Sequence, residues 1–342
     1  MADDLVVAGT RVAPGTRASL QIPVARRYTA NEVYLPAHVI HGERAGPTLF
    51  VSAAVHGDEI NGTEIIRRLL KLPALESLRG ALIAIPIVNV YGFAAQKRYL
   101  PDGRDLNRSF PGSPSGSLAA RLAHIFMAEV VAQSTHGIDL HTGSLHRSNL
   151  PQIRACLDDP ETLRLARAFG APVIMDSALR AGSLREAVRS RSLPMLVYEA
   201  GEALRFDEVS IRSGVHGVLS VMRALEMLPA AEPAARVTEP FVARGSTWVR
   251  APSSGILSTR VRLGAKVEVG EILGDVSDPL GDAAVNVCSP ETGVVIGRIN
   301  LPLVNEGDAL FHVAVFKRVE EVVAQVEVLH SDLVDSPDPD FS

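Results

Sequence analysis

The hydrophobic and polar positions of the chain follow different periodicities in different regions. Short alternating segments broken by Pro and Gly fill the first 45 residues, and we interpret them as peripheral strands. Up to about residue 228, apolar runs then alternate with stretches of helical spacing. Strands that alternate with amphipathic helices predict an α/β fold with a mixed, largely parallel sheet and helices on both faces. The strand-like runs are residues 48–57, 81–89, 137–143, 171–176 and 193–201, and the clearest helical stretches are 60–70 and 118–130.

A second region follows an Ala/Pro-rich stretch at residues 228–233, which is typical of a linker. Residues 237–320 have short β-branched segments punctuated by Gly, so we expect a small C-terminal all-β domain after a main domain of residues 1–230. Two similar passages in this region resemble the halves of biotinyl and lipoyl carrier barrels. Because the hairpin at residues 278–281 lacks Lys, we expect no attached group there. The acidic, Pro-rich residues 328–342 are expected to be disordered.

Composition narrows the classes of partner. Apolar residues make up 46% and charged residues 21% of the chain, as in ordinary soluble globular proteins. A net charge of −5 disfavours a nucleic-acid surface. The acidic N-terminus does not resemble a signal peptide, and the apolar runs are too short to cross a bilayer, so we expect no membrane partner. Two cysteines provide no disulfide framework and favour a cytoplasmic location, while association of identical chains stays open.

Three candidate metal ligands lie where predicted strands end, which is where α/β folds collect their ligands. His56 and Glu59 come where the strand at 48–57 meets a helix. His141 ends the strand at 137–143, and strand alternation places it on the same face as Asp139. Two His and one Glu, with one position left open, form the ligand set of catalytic zinc hydrolases.

Each of these motifs also fits a purely structural role. A His at a turn and a Glu in the first turn of a helix are common, because the helix dipole favours the negative charge. His141 could be a polar residue satisfied by its neighbour Asp139. His146, in a loop, and His136, at a strand start, are weaker candidates for the metal.

Arg and Glu residues elsewhere add candidate substrate contacts. The loop at residues 98–112 contains three Arg, and a guanidinium matches a carboxylate with two hydrogen bonds. Asn107 and Arg108 lie beside apolar residues in this loop, which indicates partial burial. Glu199 ends the strand at 193–201, at the same predicted rim as the candidate ligands, and Glu202 is the alternative acid.

Five segments, in this order, resemble the succinylglutamate desuccinylase/aspartoacylase family of the zinc carboxypeptidase-like clan. They extend over roughly residues 45–228, and the position of the β-domain also fits the layout of that family. Five ordered blocks are far more specific than one motif. The segments are His56-Gly-Asp-Glu59, Arg98-Tyr99, Asp105-Leu-Asn-Arg108, Asp139-Leu-His141 and Glu199-Ala-Gly-Glu202.

The resemblance implies a zinc-dependent hydrolase that cleaves the amide bond of a small N-acyl amino acid or related carboxylate. It implies one Zn²⁺ per chain, held by His56, Glu59 and His141. It also implies that residues 1–230 are the catalytic domain and that Glu199 is the general acid/base.

The resemblance further implies Arg98 on the scissile carbonyl oxygen and Asn107 with Arg108 on a substrate carboxylate. The loop between Arg98 and Asp105 is slightly longer than in aspartoacylase-type members, so Arg104 stays an alternative to Arg98. A zinc carboxypeptidase for short peptides would use the same residues and is the second hypothesis. A binding module without catalysis is the third, and the intact Glu199 beside a complete ligand set argues against it.

Overall fold

The computed structural model describes residues 4–230 and 241–335. The strands of these residues are β1 (Leu5–Val7), β2 (Thr10–Val12), β3 (Thr16–Arg26), β4 (Glu32–His41), β5 (Arg44–Ala53), β6 (Arg79–Ile85), β7 (His136–Gly143), β8 (Arg147–Ala155), β9 (Val173–Asp176), β10 (Met195–Glu202), β11 (Phe241–Ala243), β12 (Gly245–Arg250), β13 (Gly255–Thr259), β14 (Lys266–Val267), β15 (Ile272–Ser277), β16 (Ala284–Cys288), β17 (Gly293–Ile299), β18 (Leu303–Val304) and β19 (Ala309–Val315). The α-helices are α1 (Asn61–Leu69), α2 (Val90–Ala95), α3 (Leu118–Glu129), α4 (Pro160–Phe169), α5 (Leu184–Arg189), α6 (Glu208–Ala224) and α7 (Val319–Asp335). Short 3-10 turns occupy Pro73–Ser77, Leu106–Arg108 and Val131–Gln133.

One large sheet organises the chain. Its strands follow the order β12-β19-β17-β8-β10-β7-β5-β6-β4-β3, and β9, β11 and β14 pair beside this path. The central strands β6, β5, β7 and β10 are parallel, whereas the strands outside them are mainly antiparallel. This arrangement confirms the predicted α/β fold with a mixed, largely parallel sheet.

Hydrophobic cores cover both faces of this sheet. On one face, α1, α4 and α6 bury apolar side chains such as Ile65, Phe169 and Leu219 against the central strands. On the other face, α3 and α5 pack with Phe50 and Phe126 in the core. Since the central strands are apolar on both sides, they form continuous hydrophobic runs in the sequence, as parallel strands usually do. The helices on both faces therefore confirm the remaining part of the predicted fold class.

Two elements were not anticipated from the sequence. Strand β8 was not predicted, because its sequence RSNLPQIRA contains two Arg and a Pro and lacks the regular alternation of a strand. The sheet nevertheless inserts it between β10 and β17. Helix α7 continues to Asp335, into the stretch 328–342 for which disorder is expected, and that expectation stays a prediction. Residues 336–342 lie outside the described part of the chain.

The C-terminal strands do not form an isolated unit. Strands β17, β19 and β12 extend the large sheet beyond β8, while β16, β15, β13 and β18 form a separate four-stranded sheet. The hairpin at residues 278–281 joins β15 to β16, and the Asp278 carboxylate accepts hydrogen bonds from three backbone N–H groups of this turn. The division into domains and the absence of an attached group stay predictions. Residues 231–233 of the predicted linker lie outside the described residues.

None of the helices in the described residues is both long enough and apolar enough to cross a membrane.

A candidate metal centre and substrate cavity

The parallel strands bring the candidate residues to one edge of the sheet. His56 follows the end of β5, while His141 lies on β7 directly beside Glu199 of β10. Helix α1 approaches closely because it carries Gly62, where a Cβ atom would lie 2.7 Å from the Cβ atoms of both Ala53 and Leu140. This close packing holds the turn that contains Glu59 against β7.

Both histidines turn the same nitrogen towards Glu59. The Nδ1 atom of His56 lies 2.8 Å from Glu59 Oε1, and the Nδ1 atom of His141 lies 2.7 Å from Glu59 Oε2. One donor atom from each of the three residues lies within 4.8 Å of the others, and all three side chains are buried. A set of two imidazoles and one carboxylate has the chemistry that Zn²⁺ prefers.

Two aspartates hold the other ring nitrogens. His141 Nε2 lies 2.7 Å from Asp139 Oδ2, and His56 Nε2 lies 3.2 Å from Asp105 Oδ1. Asp139 also accepts a hydrogen bond of 2.7 Å from the hydroxyl of Ser52. Carboxylates in this position fix the orientation and tautomer of metal-binding histidines. The pairing of His56 with Asp105 was not anticipated, because the two residues are far apart in the sequence.

The electrostatics of the cluster match a site for a cation. Burial opposes ionisation of Glu59, yet His56 and His141 hold the pKa of this carboxyl well below its usual range. Burial also opposes protonation of His141, but Asp139 and Glu59 raise its pKa well above the ordinary value. The buried Nδ1 atom of His56 is close to Glu59 but forms no hydrogen bond with any described residue. A buried imidazole nitrogen that lies 2.8 Å from a buried carboxylate oxygen without a hydrogen bond between them fits two ligands of one metal ion.

Arg98, and not Arg104, lies at the cluster. The guanidinium of Arg98 donates hydrogen bonds to Glu59 over 3.0 Å and to Asp105 over 3.3 Å. Arg104 pairs with Asp102, and its side chain is 62% exposed. Since Arg98 lines the cavity and Arg104 does not, the geometry favours Arg98 for contact with a ligand at the cluster.

Asn107 and Arg108 line the same cavity from the 3-10 turn at Leu106–Arg108. The backbone N–H of Leu184 donates to Asn107 Oδ1 over 2.9 Å. The amide nitrogen of Asn107 donates no hydrogen bond to any described residue, so it can donate to a ligand. Arg108 donates to the backbone carbonyl of Asn107. Asn107 is half-buried as expected, whereas Arg108 is exposed because only its neighbours Leu106 and Phe110 pack into the core.

Glu199 lies in the cavity, and Glu202 lies outside it. The Glu199 carboxylate accepts a hydrogen bond of 2.7 Å from Asn149, and Arg154 Nε lies 3.3 Å away. Glu202 contacts Asn300 and lines a separate groove. The geometry therefore favours Glu199 over Glu202 as an acid/base.

The cavity has a volume of about 250 Å³. The alternative ligands are not part of its lining: His136 lies at the start of β7, where it contacts Thr135 and Glu161, and His146 lies in the turn before β8. The sequence reasoning missed several lining residues, because they come from the unpredicted β8 and from the C-terminal strands. These are Arg147, Asn149, Arg154 and Trp248.

Comparison with known proteins agrees with this geometry. Residues 45–225 match the model of the succinylglutamate desuccinylase/aspartoacylase catalytic domain. The chain is 31% identical to the N-alpha-acetyl-L-2,4-diaminobutyric acid deacetylase of Halomonas elongata over 314 residues, which cover 86% of this chain and 90% of that protein.

Solved structures give the same result. A succinylglutamate desuccinylase/aspartoacylase from Rhodobacter sphaeroides superposes with a TM-score of 0.79 at 26% identity, covering 88% of this chain and 95% of the other. The product-bound ectoine utilization protein EutE (DoeB) from Ruegeria pomeroyi superposes with a TM-score of 0.78 at the same identity and coverage. The matched segment contains all five sequence blocks of the predicted resemblance. This chain therefore belongs to the succinylglutamate desuccinylase/aspartoacylase family of deacylase-type amidohydrolases.

Proposed function

We propose that this protein is a zinc-dependent deacylase that hydrolyses the amide bond of a small N-acyl amino acid. The observation that carries the proposal is the buried cluster of His56, Glu59 and His141 in one cavity with Glu199 and Arg98. The cavity volume of about 250 Å³ suits a small molecule and not a long peptide. The cytoplasm is the proposed compartment, in keeping with the two free cysteines.

His56, Glu59 and His141 would hold one Zn²⁺ per chain. Zinc in such a site lowers the pKa of water towards about 7 and polarises a carbonyl group. Asp105 and Asp139 keep the two imidazoles turned towards Glu59, so the donor set is arranged before an ion arrives.

Glu199 and Arg98 have separate roles in the hydrolysis of the amide bond. Glu199 accepts the proton of the water that attacks the carbonyl carbon, and then donates it to the nitrogen of the leaving amine. Asn149 and Arg154 hold the Glu199 carboxylate in the cavity for this transfer. Arg98 donates to the carbonyl oxygen as negative charge develops there, which favours the tetrahedral species over the flat amide.

Asn107 and Arg108 bind the α-carboxylate of the substrate. The amide nitrogen of Asn107 and the guanidinium of Arg108 are neighbouring donors that line the cavity. A planar guanidinium matches a carboxylate with two parallel hydrogen bonds. These two residues thus contribute to the choice of substrate and not to the bond cleavage.

The test is a hydrolysis screen of N-acetyl and N-succinyl amino acids, with dipeptides as the competing class, on protein supplied with zinc. We expect turnover of at least one N-acyl amino acid and little of the dipeptides. Glu199→Gln should reduce turnover by about 10²–10⁴-fold with normal zinc content, whereas Glu202→Gln, on the same strand but outside the cavity, is the matched control. Faster cleavage of dipeptides than of acyl amino acids would point to a carboxypeptidase instead.

A further inference from the structure

A buried asparagine lies between the candidate metal ligands and the strand of Glu199. Asn61 is the first residue of α1, two positions after Glu59, and it is 1% exposed. Its amide nitrogen donates to the carbonyl of Ala200 over 3.3 Å, and its Oδ1 atom accepts from the backbone N–H of Asp207 over 3.1 Å. One side chain therefore joins the segment of Glu59 to the end of β10 and to the residue that caps α6.

The chemistry of an amide suits this place. A backbone carbonyl can only accept a hydrogen bond and a backbone N–H can only donate one, so the side chain between them needs one donor and one acceptor. Asn provides both at the end of a short side chain. An Asp at this position would direct a carboxylate oxygen at the Ala200 carbonyl, and an Ala would lose both bonds. Since buried polar groups without a partner are costly, either replacement would weaken the connection.

Strand β10 becomes irregular directly after Glu199. Its register with both neighbouring strands shifts between Glu199 and Glu202. Such bulges change the direction of the side chains beside them. Gly201 lies in this irregular stretch with a φ of +74°, and a Cβ atom there would be 2.4 Å from the amide nitrogen of Asn61. Glycine is therefore needed both for the left-handed backbone and for the close approach of Asn61.

Backbone hydrogen bonds join the same two segments further along. The N–H of Leu204 donates over 2.8 Å to the carbonyl of Asp58, which lies in the turn between the candidate ligands His56 and Glu59. The bond from Asn61 differs from this one because it reaches the residue directly after Glu199. The contact of Asn61 is thus the one placed to control the direction of the Glu199 side chain.

We propose that Asn61 is a positioning residue that fixes the carboxylate of Glu199 relative to the cluster of metal ligands around Glu59. The inference rests on the proposed function, in which Glu199 accepts and donates a proton beside that cluster. Asn61 does not line the cavity, so it acts through Glu199 and not on a substrate. A general base must lie within hydrogen-bond reach of the proton that it takes, and a displacement of about 1 Å can reduce turnover by about 100-fold.

The kinetics of Asn61→Ala test the proposal on the N-acyl amino acid that wild type hydrolyses best, with zinc supplied. We expect kcat to fall by about 10–100-fold, while KM stays within about threefold of wild type and the zinc content is unchanged. Thr63→Ala is the matched control, because Thr63 lies on the same helix but donates to the carbonyl of Pro86 over 2.8 Å. Its kcat should stay within about threefold of wild type.

A double variant separates positioning from a general structural role. If Asn61 acts through Glu199, its loss should matter little once Glu199 can no longer accept a proton. In the Glu199→Gln background, Asn61→Ala should therefore lower the residual kcat by no more than about threefold. A further fall of about 10–100-fold in that background would overturn the proposal, because the effect would then bypass Glu199. Loss of zinc from Asn61→Ala would also overturn it, because Asn61 would then support the ligands instead.

Crystal structures of wild type and Asn61→Ala provide a readout that needs no turnover. We expect the Glu199 carboxylate of the variant to be displaced by about 1 Å relative to Glu59, with the turn of His56 and Glu59 unchanged. If Asn61→Ala does not fold, Asn61→Ser, whose hydroxyl can still bond one of the two backbone groups, serves the same comparison. If Glu199 is displaced but wild type hydrolyses no acyl amino acid, the positioning role stands and the proposed function fails. An unmoved Glu199 in the folded variant would refute the positioning role.

Discussion

The orientation of His141 by Asp139 gives a prediction whose size follows from the geometry. Asp139 is 1% exposed, and its two oxygens accept hydrogen bonds of 2.7 Å from Ser52 and from His141 Nε2. Asp139→Asn keeps the shape of the side chain but removes the charge that would make His141 a stronger ligand for zinc in the proposed site. Loss of such a carboxylate partner typically weakens zinc binding by about 10–100-fold, which corresponds to about 1.4–2.8 kcal/mol.

The assay is competition for zinc between the protein and a chelator of known affinity at neutral pH. Ser52→Ala is the matched control, because it removes the other hydrogen bond of Asp139 and leaves the bond to His141. We expect this control to keep its zinc affinity within about threefold of wild type, as for the loss of one neutral donor. Circular dichroism of both variants should show the native fold. An Asp139→Asn variant that is folded and binds zinc as tightly as wild type would refute the role given to Asp139.

Three further predictions concern other parts of the molecule. Arg108→Ala should lose most of the preference for an N-acyl amino acid over its amide, by about one decade or more, while it keeps its zinc; the ratio of the two kcat/KM values checks this. Burial, and to a smaller extent Arg154, lowers the pKa of His312 to about 3 in the folded chain, whereas an unperturbed His has a pKa of about 6.5. Between these two values the unfolded chain binds one proton that the folded chain does not bind, so the free energy of unfolding falls as the pH drops through this window. The free energy of unfolding of His312→Gln, measured by urea titration, should therefore fall less between pH 7 and pH 5 than that of wild type. Gly297→Ala would place a Cβ atom 2.9 Å from Asn149 Oδ1 and 3.3 Å from the Cβ of His312, so we expect a loss of about 1–3 kcal/mol in unfolding free energy and lower turnover, measured by urea titration and kinetics.

Much of the candidate site was evident from local sequence patterns. Apolar runs located the parallel strands, since strands buried on both faces leave a continuous hydrophobic signal. Strand alternation placed Asp139 and His141 on one face, and a turn after β5 brought His56 and Glu59 together. Because the carboxyl ends of parallel strands share one edge, these positions alone predicted that the candidate ligands and Glu199 meet.

The residues that contact Glu199 and complete the cavity wall are brought there only by the tertiary structure. Only the order of the strands places β8 between β10 and β17, which brings Asn149 and Arg154 to Glu199. The same sheet continues into the C-terminal strands and carries Trp248 to the cavity wall. The sequence determined the approximate positions of the central parallel strands, since periodicity is a local property of neighbouring residues. Which strands lie side by side is decided by packing between distant segments, so the contacts of Arg147, Arg154 and Trp248 appear only in the folded chain.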